Sequence, residues 1–211
     1  MQNKLTRQQR IWRSRLRVVV IVAIVVCGVG GLVVLDRLGL FGSVSGKYSE
    51  DISRYDGGEF RVERVIDGDT LIISALDDNG KPTRIRLWGV DTPETVKPNH
   101  KVDHFGPEAS QFARIMCEGK VVRIGLDPDR SSRDRYGRLL AYIILPDGRM
   151  LNRLLIERGF GYFDPRYKHR YYSEFATTQS DAQAGRRGLW KDVRDKDLPF
   201  YLRGKIKLPG R

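Results

Sequence analysis

Apolar and polar residues alternate in short runs through the middle of the chain, whereas one long apolar run lies near its start. Residues 60–66 and 70–75 are β-prone and are separated by the acidic turn Asp67-Gly68-Asp69. Asp77-Asp78-Asn79-Gly80 is a strong hairpin signal. It leads into a third strand, 83–90, where Arg86 alternates with Ile85 and Leu87 and so faces away from them. The short connections predict an antiparallel meander. Residues 107–118 predict a helix, opened by Pro107 and Glu108, with Ala109, Phe112, Ala113 and Met116 on one face and Gly119 at its end. A fourth strand, 121–126, and a fifth, 139–145, flank a charged loop, 127–137. A short helix over 151–158 is closed by Gly159, and a last helix covers 168–184. Five strands, a helix between the third and fourth, and helices at the end predict an α+β fold, a five-stranded OB-type barrel with three helices.

The long apolar run, 18–35, holds 18 uncharged residues. As a helix it reaches ~27 Å, close to the hydrocarbon thickness of a bilayer. Residues 1–17 carry six basic side chains and no acidic one. The positive-inside rule therefore predicts a cytoplasmic arm (1–17), a transmembrane signal-anchor (18–35) and a remainder outside the cytoplasm, periplasmic or extracellular. If the segment is cleaved, with Ser43-Val44-Ser45 as the small-residue site, the remainder is secreted. Residues 36–58, rich in Gly, Ser and charge, predict a linker that sets a domain, 59–190, off the membrane.

Charge and cysteine content sharpen this picture. The net charge of +12 favours a polyanionic partner. Half of that excess sits in residues 1–37, which hold seven basic side chains against Asp36 alone. Cys27 lies in the apolar run and Cys117 in the domain, which excludes a disulfide framework and a cysteine-based zinc site. His100 and His104 are four residues apart but fall in a loop, so their spacing does not predict zinc. Residues 191–211 are basic and predict a loosely ordered tail.

Three polar turns carry the candidate chemistry. Asp69 and Asp91 each lie at a strand–turn junction, and barrel rims bring such junctions together. Two carboxylates with a carbonyl such as that of Thr92 form an oxygen-only site that suits Ca²⁺ better than Mg²⁺. Taken alone, Asp67-Gly68-Asp69 is more often an Asx turn at a strand break than a ligand set. Glu94, just past Pro93, could orient or deprotonate a water attacking phosphorus. Arg86 and Arg138, converging on a phosphodiester, would supply forked hydrogen bonds and offset charge on a five-coordinate phosphorus.

The motifs in combination go further. Val65-Ile66-Asp67-Gly68-Asp69-Thr70, Arg86-Leu87-Trp88-Gly89-Val90-Asp91-Thr92-Pro93-Glu94-Thr95, Phe105-Gly106-Pro107-Glu108-Ala109-Ser110 and Asp134-Arg135-Tyr136-Gly137-Arg138 occur in one order. Together they resemble the staphylococcal nuclease (thermonuclease-like) family over roughly residues 60–190. The resemblance implies Ca²⁺-dependent hydrolysis of DNA or RNA that leaves a 3′-phosphate. It implies that Asp69, Asp91 and the Thr92 carbonyl ligate Ca²⁺ and that Glu94 is the base. Arg86 and Arg138 would hold the reacting phosphate, and Arg135, Tyr136 and Tyr167 would meet the nucleotide. Arg135 stands where the family has lysine, and Pro165 where it has a second tyrosine; Tyr162, Tyr171 and Tyr172 are candidate substitutes for that stacking face. The expected product is a monomeric domain acting on nucleic acid. The alternative is a non-catalytic OB module that binds nucleic acid or protein at the membrane.

Overall fold

The computed structural model describes residues 42–95, 102–128, 130–206 and 208. The expected arm and transmembrane segment, with Cys27, lie outside these residues, as does His100. Among the described residues no helix is long and apolar enough to cross a membrane. The chain divides after Ser49 into two units, and of the first only the helical residues 42–49 are described.

The second unit is built on a barrel. Strands β1 (Glu59–Asp67), β2 (Thr70–Leu76) and β3 (Pro82–Leu87) form the meander the turn signals predict, each pair antiparallel. Strands β5 (Val121–Gly125) and β6 (Leu139–Ile144) complete a closed barrel in the order β1-β2-β3-β6-β5, with β3 and β6 parallel. Alternation fixes the faces. In β3, Thr83, Ile85 and Leu87 are buried while Arg84 and Arg86 point the other way. Helices α2 (Gly106–Cys117), α3 (Leu151–Glu157) and α4 (Tyr172–Ala184) match the three expected from periodicity, within a few residues at each end.

Three expectations need correction. The third strand does not run to Val90. It ends at Leu87, Gly89 turns the chain at φ +74°, and Val90–Asp91 forms a separate strand, β4. β4 pairs with β7 (Tyr162–Phe163), so Val90 faces Phe163 and Asp91 faces Tyr162. Buried Asn152 fastens this turn: its amide donates to the carbonyls of Trp88 (3.0 Å) and Ala141 (3.1 Å), and its oxygen accepts from Ile143 (3.0 Å).

The second correction concerns the predicted linker. Residues Gly42–Tyr55 form a helix, α1, despite poor intrinsic propensity. Its last turn is held by tertiary contacts. Tyr55 is fully buried and shares hydrogen bonds with Thr83 Oγ1 and Asp77 Oδ1, both at 3.1 Å. One turn earlier, buried Asp51 receives Arg133 through Nη2 (2.7 Å) and Nε (2.8 Å) and the Ser132 hydroxyl (2.6 Å). Packing overrides propensity here, and the domain therefore begins before residue 59.

The third correction is the tail. Leu189, Trp190, Val193, Leu198, Tyr201, Leu202 and Leu208 form a second apolar cluster with Tyr162 and Ala182. Its apolar residues are spaced among basic ones, so the sequence shows charge while the fold buries the intervening side chains. The domain therefore extends past residue 190.

Replacing Tyr55 with alanine empties a fully buried site. We expect a loss of about 3–5 kcal/mol in a urea titration of the folded chain. Unchanged stability would mean that α1 is an appendage after all.

Candidate active site

The turn between β1 and β2 brings Asp69 to the barrel rim. Gly68 permits this, because a Cβ there would meet the Thr92 side chain at 2.8 Å. Thr92, one residue past β4, donates to Asp69 Oδ2 from its amide (2.7 Å) and its hydroxyl (3.1 Å). Asp69 Oδ1 accepts from the Thr70 hydroxyl at 3.1 Å. The two acidic turns, far apart in sequence, are thus tied together at one carboxylate.

Arg86 is the second tie. Its Nη1 lies 2.7 Å from Asp69 Oδ2 and donates to the Val90 carbonyl at 2.8 Å, while Nη2 meets Asp91 Oδ1 at 2.6 Å. Burial works against the arginine's charge, but Asp69 and then Asp91 outweigh it and hold the guanidinium firmly protonated. Arg138 enters from the loop before β6. Asp134 braces it, accepting from its Nε at 2.7 Å and from the backbone amides of Tyr136 (2.8 Å) and Arg138 (3.0 Å). Arg138 Nη1 reaches the Thr70 hydroxyl at 3.4 Å. Asp67, Asp69, Thr70, Arg86, Asp91, Thr92, Glu94 and Arg138 together line one polar cleft of about 200 Å³. Glu94 Oε1 accepts from the Thr95 amide at 3.1 Å, and its own amide donates to Asp103 at 3.0 Å.

At the cleft's edge, Arg135 stacks on the exposed Tyr136 ring, 4.7 Å from its centroid, and Arg138 lies 5.5 Å from the same ring. Tyr167 is also exposed and stacks on Trp88 at 6.0 Å. The tyrosines that could stand in at Pro165 or be core residues each pack against another ring. Tyr162 is buried against Trp190, Tyr171 stacks on Phe175, and Tyr172 packs edge-on against Phe163, so their faces are engaged by the fold. His104 Nε2 faces Asp192 at 3.4 Å.

Tyr201, Arg166 and its partner Asp164 have no counterpart among the residues expected from the sequence. Tyr201, from the supposed tail, donates its hydroxyl to Asp91 Oδ2 at 2.7 Å. Arg166 lies over the Tyr201 ring at 4.1 Å, pairs with Asp164 at 2.8 Å and approaches Asp91 Oδ2 at 3.8 Å. The only hint was the apolar spacing Leu198, Tyr201, Leu202 within a basic segment.

Among the described residues, no three His, Cys, Asp or Glu side chains converge as a complete metal cage. The cleft instead offers two carboxylates already sharing one cationic partner, with Asp67 and Glu94 alongside and no histidine or cysteine in the lining. That oxygen-only set fits a hard divalent cation that keeps part of its water shell, and does not fit zinc.

Two carboxyl groups register the crowding. Burial first, then Asp69, pushes Asp67 up to about 7, and Asp69 N donates to Asp67 Oδ1 at 3.2 Å. Burial also pushes Asp91 up, opposed by Arg86 and by the Tyr201 hydroxyl.

Comparison with known proteins gives a consistent result. The family model for staphylococcal nuclease homologues matches residues 84–192. The thermonuclease of Staphylococcus intermedius is 40% identical over 149 residues, 69% of this chain and 84% of that protein. The thermonuclease of Staphylococcus hyicus is 39% identical over 147 residues, 68% and 82% respectively. Endonuclease YncB of Bacillus subtilis (strain 168) is 34% identical over 134 residues, 61% of this chain and 60% of that protein.

The Asp67 shift has a definite sign. Between the ordinary carboxylate range and about pH 7, the folded chain keeps a proton at Asp67 that the unfolded chain has released. Stability of the metal-free chain therefore falls as pH rises across that window and flattens above it. Urea titrations with chelator present, from pH 5 to 8, should show this slope. Asp67→Asn should make it shallower, leaving the part due to Asp91; equal slopes would refute the assignment.

Proposed function

The chain belongs to the staphylococcal nuclease homologue family, and from that membership we propose that it is a nuclease, a hydrolase that cleaves phosphodiester bonds of DNA and/or RNA with the aid of Ca²⁺. The observation that carries this reading is the convergence of Asp69, Asp91, Glu94, Arg86 and Arg138 on one polar cleft.

Asp69 and Asp91, with the Thr92 carbonyl, would hold the cation. When bound, Ca²⁺ supplies positive charge to the phosphodiester. The remaining chemistry falls to the chain. A Glu94 carboxylate oxygen takes the proton of the attacking water. Arg86 and Arg138 orient the phosphate and stabilise the charge that grows as phosphorus becomes five-coordinate. Asp134 braces Arg138 through Nε, which aims its far end toward Thr70 and the cleft. Arg135, Tyr136 and Tyr167 contact the nucleotide, the last as a ring already stacked on Trp88. Water attack forms the new P–O bond as the P–O5′ bond breaks, leaving a 3′-phosphate and a 5′-oxygen that takes a proton from solvent to become a free 5′-hydroxyl. The domain works as a monomer, and residues 18–35 anchor it with the barrel outside the cytoplasm.

The chain should digest plasmid DNA or RNA in Ca²⁺ and lose that activity in chelator. Arg138→Ala and Glu94→Ala should each lower kcat by about 10²–10³-fold without loss of fold. Nucleic acid left intact by the parent chain in millimolar Ca²⁺ would overturn the reading.

The anchor is tested separately. The full chain should stay with membranes through an alkaline wash, and a chain starting at residue 36 should not. Release of both would remove the anchor and leave the nuclease reading standing.

A further inference from the structure

A C-terminal segment of the chain reaches the candidate catalytic cleft. The family match ends at residue 192, and Tyr201 lies beyond it. Its ring is buried, 6% exposed, among Tyr162, Trp190, Leu198 and Leu202, and its hydroxyl emerges from that cluster to meet Asp91 Oδ2 at 2.7 Å. The opposite oxygen of the same carboxylate meets Arg86 at 2.6 Å. Asp91 is therefore gripped at both oxygens, by a strand of the barrel on one side and by the C-terminal segment on the other. Arg166 secures the second grip. Its guanidinium covers the Tyr201 ring at 4.1 Å and is itself held by Asp164 at 2.8 Å.

We propose that Tyr201 is a positioning residue for Asp91, so that the C-terminal segment completes the metal-binding cleft. This rests on the nuclease reading and adds to it. A carboxylate on a two-residue strand beside a glycine turn can rotate about two side-chain bonds. A hydrogen bond donated from a packed phenol to one oxygen restrains the carboxylate plane, and each oxygen keeps a further lone pair with which to meet a cation. The donated bond favours the ionised form, which a cation requires. Such supports of ligating carboxylates commonly govern affinity as strongly as some ligands do.

The experiment is a cycle of Tyr201→Phe, Asp91→Ala and the double variant in the full, detergent-solubilised chain. Tyr201→Phe keeps the ring, its packing and its contact with Arg166, and removes one hydroxyl. Ca²⁺ affinity is read by isothermal titration and kcat and KM by digestion of a defined oligonucleotide, with melting temperature measured in chelator. The expected result is a Ca²⁺ affinity lower by about 10–100-fold and a lower kcat, with KM for nucleic acid and fold retained. The Tyr201→Phe effect on affinity should vanish when Asp91 is already alanine. Equal Ca²⁺ affinity and kcat in parent and Tyr201→Phe, with the parent active, would overturn this inference and leave the nuclease reading intact. The same loss in both backgrounds would also overturn it, because the hydroxyl would then be acting through packing. A parent chain that neither binds Ca²⁺ nor cleaves would overturn the nuclease reading and this inference with it.

Discussion

Arg86 sits between Asp69 and Asp91, partly buried, with a carboxylate oxygen on each terminal nitrogen. Without that charge, two carboxylates would face each other in a partly desolvated cleft. Removing one member of such a set leaves an uncompensated buried charge, which costs several kcal/mol, on the order of 3–5. The interaction also does geometric work. Asp69 comes from the β1–β2 turn, Asp91 from β4, and Arg86 from β3, so one guanidinium pins three parts of the rim. The same polarity that holds the rim together makes it suited to a cation and a phosphate, and this is the physical link between fold and chemistry.

The supports lie around this centre in layers. Gly68 lets the first turn approach Thr92, and Thr92 clamps Asp69 with two hydrogen bonds. Asn152 ties the turn before β4 to β6, and the β4–β7 pairing carries Asp91 toward the C-terminal cluster. Asp134 plays the corresponding part for Arg138. Each device uses a local hydrogen bond to fix a side chain whose role is set by long-range neighbours. The charged side chains of the cleft are thus held by hydrogen bonds, and the exposed Tyr136 ring lies beside Arg138 at its edge.

Much of this was legible in the residues. The strands, the three main helices and the alternation that turns Arg86 away from the barrel core follow from period and turn chemistry, because each depends on neighbours a few residues away. The acidic turns and the two arginines could be paired by type. Three features could not be read this way. The helix ending at Tyr55 is poor in intrinsic propensity and forms because Tyr55 and Asp51 find partners across the barrel. The break at Gly89 looks like a continuing strand until Phe163 supplies a partner for Val90. The C-terminal cluster is hidden because its apolar residues are diluted by charge, and a tyrosine's value to a carboxylate 110 positions away leaves no local trace.

What the sequence determined by itself was therefore the inventory: five strands, the turns that join them, and carboxylates and guanidiniums at the junctions. Hydrophobic period and turn preference act over a few residues, so they survive in a one-dimensional record. Tertiary structure alone decided which junctions meet, which tyrosines are core and which remain exposed, and where the domain begins and ends. Those outcomes depend on burial and on hydrogen bonds between distant segments, whose energies exist only once the chain has closed on itself.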